Sequence, residues 1–304
     1  MTPFTGLSAF PLTPLIDDRV DEGAFARLVG RLTDAGVDSI TALGSTGSYA
    51  YLDVDERASV ARLAVEHAGS TPVHIGVGAL RTSHVLRNVE HAERAGAAGI
   101  LLAPMSYQPL TAHEVFELFR TVTGSTHLPV IVYDNPGTTH FAFTTELYAR
   151  LAELPGVASI KIPGVPRDEA AARSRVAEIR AVVPETVTIG VSGDAFGAAG
   201  LIAGCDAWYS AIGGALPAPV LRITRAAMSG RAADALAQSG RLEPLWALFA
   251  ELGGSLRVVA AIAEHLGLVQ ADSLPLPVRG LDDAQKARVV AAFEDLRASG
   301  AARD

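Results

Sequence analysis

Asp206-Ala207-Trp208-Tyr209-Ser210 is the stretch on which the fold turns, because counting back along the chain makes it the eighth short run of apolar, β-forming residues. Ahead of it stand Leu7–Phe10, Ser39–Leu43, Val73–Val77, Gly99–Leu102, Val130–Tyr133, Ala158–Ile162 and Val187–Val191. Helical patterning fills the intervals. After Asp21, residues Phe25, Leu28, Val29 and Leu32 recur at helical spacing until Gly36 stops the run. A helix from Asp55 puts Val60, Leu63, Ala64 and His67 on one face, and Thr82–Ala95 is the next. Thr111-Ala112-His113-Glu114 is a capping box, in which the threonine and glutamate side chains satisfy free amides at a helix start. Thr145–Leu154, Asp168–Val183 and Ala195–Ala203 continue the alternation. Eight strand–helix units at a spacing of about 25–35 residues predict a (β/α)8 TIM barrel in the α/β class; an open doubly wound sheet accounts less well for eight regular units.

Past Pro217 the strand signal stops. Pro219–Met228, Leu242–Leu252, Leu256–Leu266 and Asp283–Ala298 read as helices, joined in part by the connector Leu274-Pro275-Leu276-Pro277. The expected organisation is a barrel catalytic domain over 1–220 and a C-terminal helical subdomain over 221–304.

Composition narrows the classes of function. The chain has 304 residues, 49% hydrophobic and 19% charged, which is globular rather than disordered. A net charge of −8 argues against nucleic acid or an anionic membrane as partner, since both require a basic face. Cys205 is the single cysteine, so internal disulfides and cysteine-type zinc clusters are excluded. No apolar run reaches the roughly 18 residues of a membrane span. Met1-Thr2-Pro3-Phe4 lacks a charged start and an apolar leader core, so a cytoplasmic location is expected.

Within this chain lysine is nearly absent. Lys286 reads as part of an exposed helix, whereas Lys161 stands in Ser159-Ile160-Lys161-Ile162-Pro163, amid apolar β-formers. An ammonium buried in such a strand loses hydration, which lowers its pKa and makes the amine a nucleophile able to form a Schiff base; a strand-end lysine that snorkels to water is the plainer alternative. In a barrel the chemistry gathers where strands end. At those ends lie Gly44-Ser45-Thr46-Gly47-Ser48, taken alone a plain Gly/Ser turn or else an anion cradle without the lysine of a nucleotide-binding loop; Pro104-Met105-Ser106-Tyr107; Tyr133-Asp134-Asn135-Pro136; and Ser192-Gly193-Asp194. Together they suit a 2-oxo acid. Ser45 and Thr46 can hold its carboxylate, Lys161 can attack its carbonyl, and Tyr133 can relay protons once hydrogen bonding prepares its phenol. No metal-ligand cluster is visible and no cofactor is required; His74, His84, His91 and His140 are scattered and read as surface or packing residues.

On Gly44-Ser45-Thr46-Gly47, the Tyr133–Pro136 turn, Ile160-Lys161-Ile162 and Ser192-Gly193-Asp194, the chain resembles the dihydrodipicolinate synthase/N-acetylneuraminate lyase family of class I aldolases. The resemblance covers most of the chain. It implies that Lys161 is the Schiff-base lysine, that Tyr133 is the proton relay, that Ser45 and Thr46 grip the carboxylate of pyruvate, and that the Gly193 backbone lies near substrate. It further implies that Tyr107 either reaches into a neighbouring subunit's site or packs at that interface, in a homotetramer built as a dimer of dimers.

The sequence also departs from the family pattern. Ser48 replaces an acidic residue and Asp134 an asparagine. Thr138 stands where the synthases carry the arginine that binds the carboxylate of aspartate semialdehyde, and threonine offers no bidentate guanidinium. Tyr209 replaces an aliphatic residue, either narrowing the pocket or filling the barrel. The expected activity is therefore a pyruvate-dependent lyase or aldolase that makes or breaks a C–C bond between a 2-oxo acid and an aldehyde, with 2-keto-3-deoxy sugar acids among its candidate substrates. The alternatives are dihydrodipicolinate synthase itself, a hydratase-aldolase or dehydratase on the same scaffold, and a non-catalytic 2-oxo-acid binder, which would need neither Lys161 nor Tyr133. Specificity is expected from the loops around Thr138, Gly164–Arg167 and Tyr209.

Overall fold

A computed structural model describes residues 4–302. Strand β1 (Gly6–Ala9) leads into a small antiparallel hairpin, β2 (Leu15–Ile16) and β3 (Arg19–Val20), and then into α1 (Glu22–Ala35). Seven units follow: β4 (Ser39–Ala42) with α2 (Val54–His67), β5 (Val73–Gly76) with α3 (Thr82–Ala95), β6 (Gly99–Leu102) with α4 (Ala112–Thr123), β7 (Val130–Tyr133) with α5 (Pro136–Thr139) and α6 (Thr145–Ala152), β8 (Val157–Ile162) with α7 (Glu169–Arg180), β9 (Thr188–Ser192) with α8 (Gly197–Ala203), and β10 (Ala207–Ser210) with α9 (Pro217–Met228). The eight long strands close into a parallel barrel, each pairing with the next and β4 returning to β1. This is the (β/α)8 barrel that the spacing predicts. Helices α10 (Ala232–Arg241), α11 (Glu243–Glu251), α12 (Ser255–His265) and α13 (Asp283–Ala298) follow it.

Local chemistry accounts for the elements. The Asp21 carboxylate accepts from the Ala24 amide to start α1, Gly36 ends it at φ 75°, and Phe25, Leu28, Val29 and Leu32 form its buried stripe. The capping box at Thr111 and Glu114 is formed, and α2 and α13 carry equivalent boxes at Asp53/Glu56 and Asp282/Gln285. On β10 the Trp208 ring faces outward onto α8, where a side chain at Gly197 would meet the indole at 2.1 Å. On β8, Ile160 and Ile162 face the helices while Ser159 and Lys161 face the barrel interior, the period of two that a strand imposes.

The interior is layered. At the bottom, Ser8 Oγ and Thr41 Oγ1 lie 2.8 Å apart, Thr41 meets His74 Nδ1 at 3.3 Å, and Phe4 stacks on the imidazole. Burial holds His74 down at about 4, so it stays neutral packing material. Above that layer, Tyr209 crosses the barrel and its hydroxyl meets Ser159 Oγ at 2.7 Å. Gly190 makes this possible, since a Cβ there would lie 2.2 Å from the Tyr209 ring. Lys161 forms the next level up.

Three features depart from the sequence reading. The hairpin β2–β3 leaves no sequence signal: its strands are two residues each, too short for a period, and its turn is Asp17-Asp18, both at positive φ, rather than the usual Asn-Gly or Asp-Gly. Helix α10 carries no clear apolar stripe, since only Ala235 and Ser239 are buried along it. Lys286 is not freely exposed; its ammonium lies 2.9 Å from both carboxylate oxygens of Glu264 on α12. Helix α9 runs across position 220/221 and packs on β1 and α8 as the barrel's eighth outer helix. No helix among the described residues is long and apolar enough to cross a membrane.

Candidate active site

The site begins with a strained turn. Leu43, just past β4, is held at φ 58°, a left-handed conformation that costs a non-glycine residue about 1–3 kcal/mol. Gly76 at the end of β5 makes room for it, because a Cβ there would fall 1.8 Å from the Leu43 carbonyl oxygen. The chain then turns through Gly44-Ser45-Thr46-Gly47, placing Ser45 and Thr46 on the wall of a cavity of about 430 Å³. A side chain at Gly44 would strike the Phe10 ring at 2.5 Å, so the turn and the aromatic wall fit only with glycine there.

Lys161 and Tyr133 are direct neighbours in the β8–β7 register, and both line that cavity. Lys161 Nζ lies 4.3 Å from the centroid of the Tyr133 ring. Lys161 is buried, and among the described residues its ammonium has no hydrogen bond or ion pair. Burial pushes its pKa below the ordinary lysine value; Tyr133, Asp134 and Asp194 push it back only in part. For Tyr133, burial alone would raise the phenol, but adjacent Lys161 and hydrogen bonds at Ser45, Asn135 and Thr138 outweigh it, and the net shift is downward. Ser45 Oγ lies 2.7 Å from the Tyr133 hydroxyl, and Asn135 Nδ2 donates to it at 3.0 Å.

The next part of the wall comes from the end of β9, the strand beside β8. Ser192 Oγ donates to the Ile162 carbonyl, tying β9 to β8 just beyond Lys161. Gly193 sits at φ 77°, and a Cβ there would press on Phe196 at 3.0 Å and on the Pro163 carbonyl at 3.3 Å. Asp194 accepts from Ser210 Oγ at 2.7 Å and from the Ile212 amide at 2.9 Å, which fixes the turn after β10. Burial raises its carboxyl, and these donors and Lys161 offset that only partly.

Of the residues singled out from sequence, the cavity thus gathers Ser45, Thr46, Tyr133, Lys161, Gly193 and Tyr209. Tyr209 lines it while its hydroxyl stays with Ser159. Thr138 is exposed on α5, donates to the Asn135 carbonyl at 3.3 Å, and is not among the lining residues. Tyr107 is 89% exposed and lines a different hollow, of about 590 Å³, with Leu80, Met105 and Leu118. Asn135 joins the cavity residues as a partner of Tyr133, a role that its place two residues on signals only weakly. Trp246, Phe249 and Glu243, which wall the mouth, come from α11, and its docking over the barrel leaves no local signal. Among the described residues no group of three or more His, Cys, Asp or Glu side chains is placed to hold a metal.

A parallel barrel that buries an unpaired lysine beside a tyrosine, at the strand ends where such barrels do their chemistry, defines a class: the class I enzymes that act on 2-oxo acids through a Schiff base. Within that class the chain belongs to the dihydrodipicolinate synthetase family, whose model matches residues 3–296. It is similar to 4-hydroxy-tetrahydrodipicolinate synthase of Methylococcus capsulatus, 34% identical over 90% of this chain and 91% of that one. It is also similar to an uncharacterized DapA-like lyase of Halobacterium salinarum, 30% identical over 92% of this chain and 90% of the other. The crystal structure of dihydrodipicolinate synthase from Agrobacterium tumefaciens superposes with a TM-score of 0.93 at 42% identity, covering 97% of this chain and 99% of that one. The protein is a pyruvate-dependent Schiff-base lyase or aldolase.

Proposed function

We propose that the protein joins pyruvate to an aldehyde, or cleaves the product, through an iminium on Lys161. The buried, unpaired ammonium of Lys161 beside Tyr133 carries this reading. The neutral amine attacks the C2 carbonyl of pyruvate. Tyr133 returns a proton to the departing hydroxyl, water leaves, and the iminium forms. Loss of a C3 proton gives the enamine, whose C3 adds to the aldehyde carbon while the aldehyde oxygen takes a proton from Tyr133. Water then hydrolyses the new iminium and releases Lys161. Ser45 and Thr46 hold the carboxylate throughout, and Ser45 also orients the Tyr133 hydroxyl.

Two acceptors are in play. The names of the relatives support the 4-hydroxy-tetrahydrodipicolinate synthase reaction, with aspartate semialdehyde as acceptor, more strongly than they support a 2-keto-3-deoxy sugar acid lyase. Thr138 carries no guanidinium, and its hydroxyl is engaged with the Asn135 carbonyl and the Tyr133 phenol, which favours a different grip on the acceptor. We include in the proposal a homotetramer in which Tyr107, exposed in the single chain, meets a neighbouring subunit.

Borohydride in the presence of pyruvate tests the core of this reading: Lys161 should gain the mass of a reduced pyruvate adduct. An unmodified Lys161, with label elsewhere or none, would overturn it. Parallel assays with aspartate semialdehyde plus pyruvate, and with 2-keto-3-deoxy sugar acids alone, then separate the acceptors.

A further inference from the structure

We infer that Arg167 reads the charge of the acceptor, binding a carboxylate carried at the end of the aldehyde remote from its carbonyl. The inference rests on the Schiff-base reading of Lys161. Arg167 lies in the loop between β8 and α7, six residues beyond Lys161, and lines the same cavity. Lys161 at the floor becomes the iminium and is occupied by pyruvate, so Arg167 is the other cation on the cavity wall. Its guanidinium carbon stands 6.0 Å from the centroid of the Phe196 ring, a contact that orients the planar group without using its donors. Among the described residues it makes no hydrogen bond or ion pair. The acids of the wall do not neutralise it: Asp194 is held by Ser210 and the Ile212 amide, and Glu243 forms no ion pair with it.

The surroundings strengthen the case. The cavity wall carries the apolar rings of Phe196, Trp246 and Phe249. Such a wall suits an acceptor with few hydroxyls, and Arg167, which is exposed, stands where a carboxylate at the far end of that acceptor can meet its free donors. A guanidinium presents paired donors to a carboxylate, the geometry that Thr138 lacks. The determinant therefore sits on the loop that follows the lysine strand, not on the turn that follows the tyrosine.

The test needs no turnover. Two seven-carbon 2-oxo acids, 2-oxopimelate with a distal carboxylate and 2-oxoheptanoate without one, are trapped on Lys161 with borohydride in the full-length protein. Half-saturating concentrations are compared for wild type, Arg167→Gln and Arg167→Lys, with pyruvate as control. The expected result is a wild-type preference for 2-oxopimelate of about 5-fold, the worth of one well-placed ion pair at an exposed guanidinium. Arg167→Gln should bring the two acids within about 2-fold, Arg167→Lys should restore part of the difference, and pyruvate trapping should not change. No preference in wild type, or a preference that survives Arg167→Gln, overturns the inference while leaving the iminium chemistry intact. Failure to trap pyruvate itself overturns both.

Discussion

Lys161 Nζ rests 4.3 Å from the centre of the Tyr133 ring, and the two residues face each other across the β7–β8 pairing. The backbone register fixes this relationship, so it is present before any substrate arrives. It combines a buried amine that favours its neutral form with a phenol that the same amine pulls down, which prepares a nucleophile and a proton relay together.

Removing the charge should expose its cost. The folded pKa of Lys161 lies below its unfolded value, so the unfolded chain binds the additional proton and stability rises with pH between the two. Lys161→Met is therefore expected to abolish pyruvate trapping while raising stability near pH 7 by about 1–2 kcal/mol. The gain should shrink as pH rises through 10 toward the unfolded lysine value of 10.5, and it vanishes only above that value, where the lysine is neutral in both states. Thermal melts of the two proteins at pH 7 and pH 10 check this; a destabilised variant at pH 7 would contradict it.

The relay can be separated from the nucleophile. Tyr133→Phe should still be trapped by pyruvate and borohydride but turn over about 10²–10⁴-fold more slowly. A phenolate raises the Lys161 pKa, so its removal should also move the ascending limb of trapping against pH to lower pH. Ser45→Ala should lower kcat by about 10-fold or more, because it removes the hydroxyl 2.7 Å from the phenol. A wild-type pH profile in Tyr133→Phe would disconnect the two groups.

The sequence made the barrel legible because eight strands carry strong apolar runs and the intervening helices have clear stripes or caps. It made the floor of the site legible because Lys161, Tyr133, Ser45 and Thr46 all fall at strand ends, where topology alone brings them together. The mouth was hidden for the opposite reason. Trp246, Phe249 and Glu243 reach the cavity only after α11 docks, more than 80 residues beyond Lys161, and nothing in their local pattern says where that helix lands. Arg167 was visible only as part of a specificity loop, since an arginine without a partner looks like any other until its surroundings are known. Tyr209 was readable as a phenol near the site, but its bond to Ser159 depends on a contact across the barrel.

That contact gives a stability prediction. Tyr209→Phe leaves the ring over Gly190 and removes the hydroxyl, so Ser159 loses its partner in a buried layer. A loss of about 1–2 kcal/mol is expected for Tyr209→Phe and for Ser159→Ala separately, and the double substitution should cost clearly less than their sum. Urea midpoints of the four proteins measure the coupling. Additive losses would mean that the two hydroxyls do not hold each other.

Arg57 supports the site through the end of β5, where Gly76 accommodates Leu43. Its guanidinium is buried and donates to the carbonyls of Gly76 and Gly78, each at 2.8 Å, while its carbon lies 5.5 Å from the Tyr49 ring centroid. Burial lowers its pKa to about 10, which still leaves it charged at neutral pH. Gly76 is the residue whose missing side chain makes room for the Leu43 carbonyl, so Arg57 braces the segment against which the Ser45–Thr46 turn is set. Arg57→Met keeps most of the apolar volume but leaves two buried carbonyls without donors. A loss of about 2–5 kcal/mol is expected, seen as a lower urea midpoint with an unchanged slope. Arg57→Lys can satisfy one carbonyl and should lose less. If the brace also sets the turn, KM for pyruvate should rise in Arg57→Met even at temperatures where the protein remains fully folded, with kcat less affected. An unchanged KM in a folded Arg57→Met would confine Arg57 to stability alone.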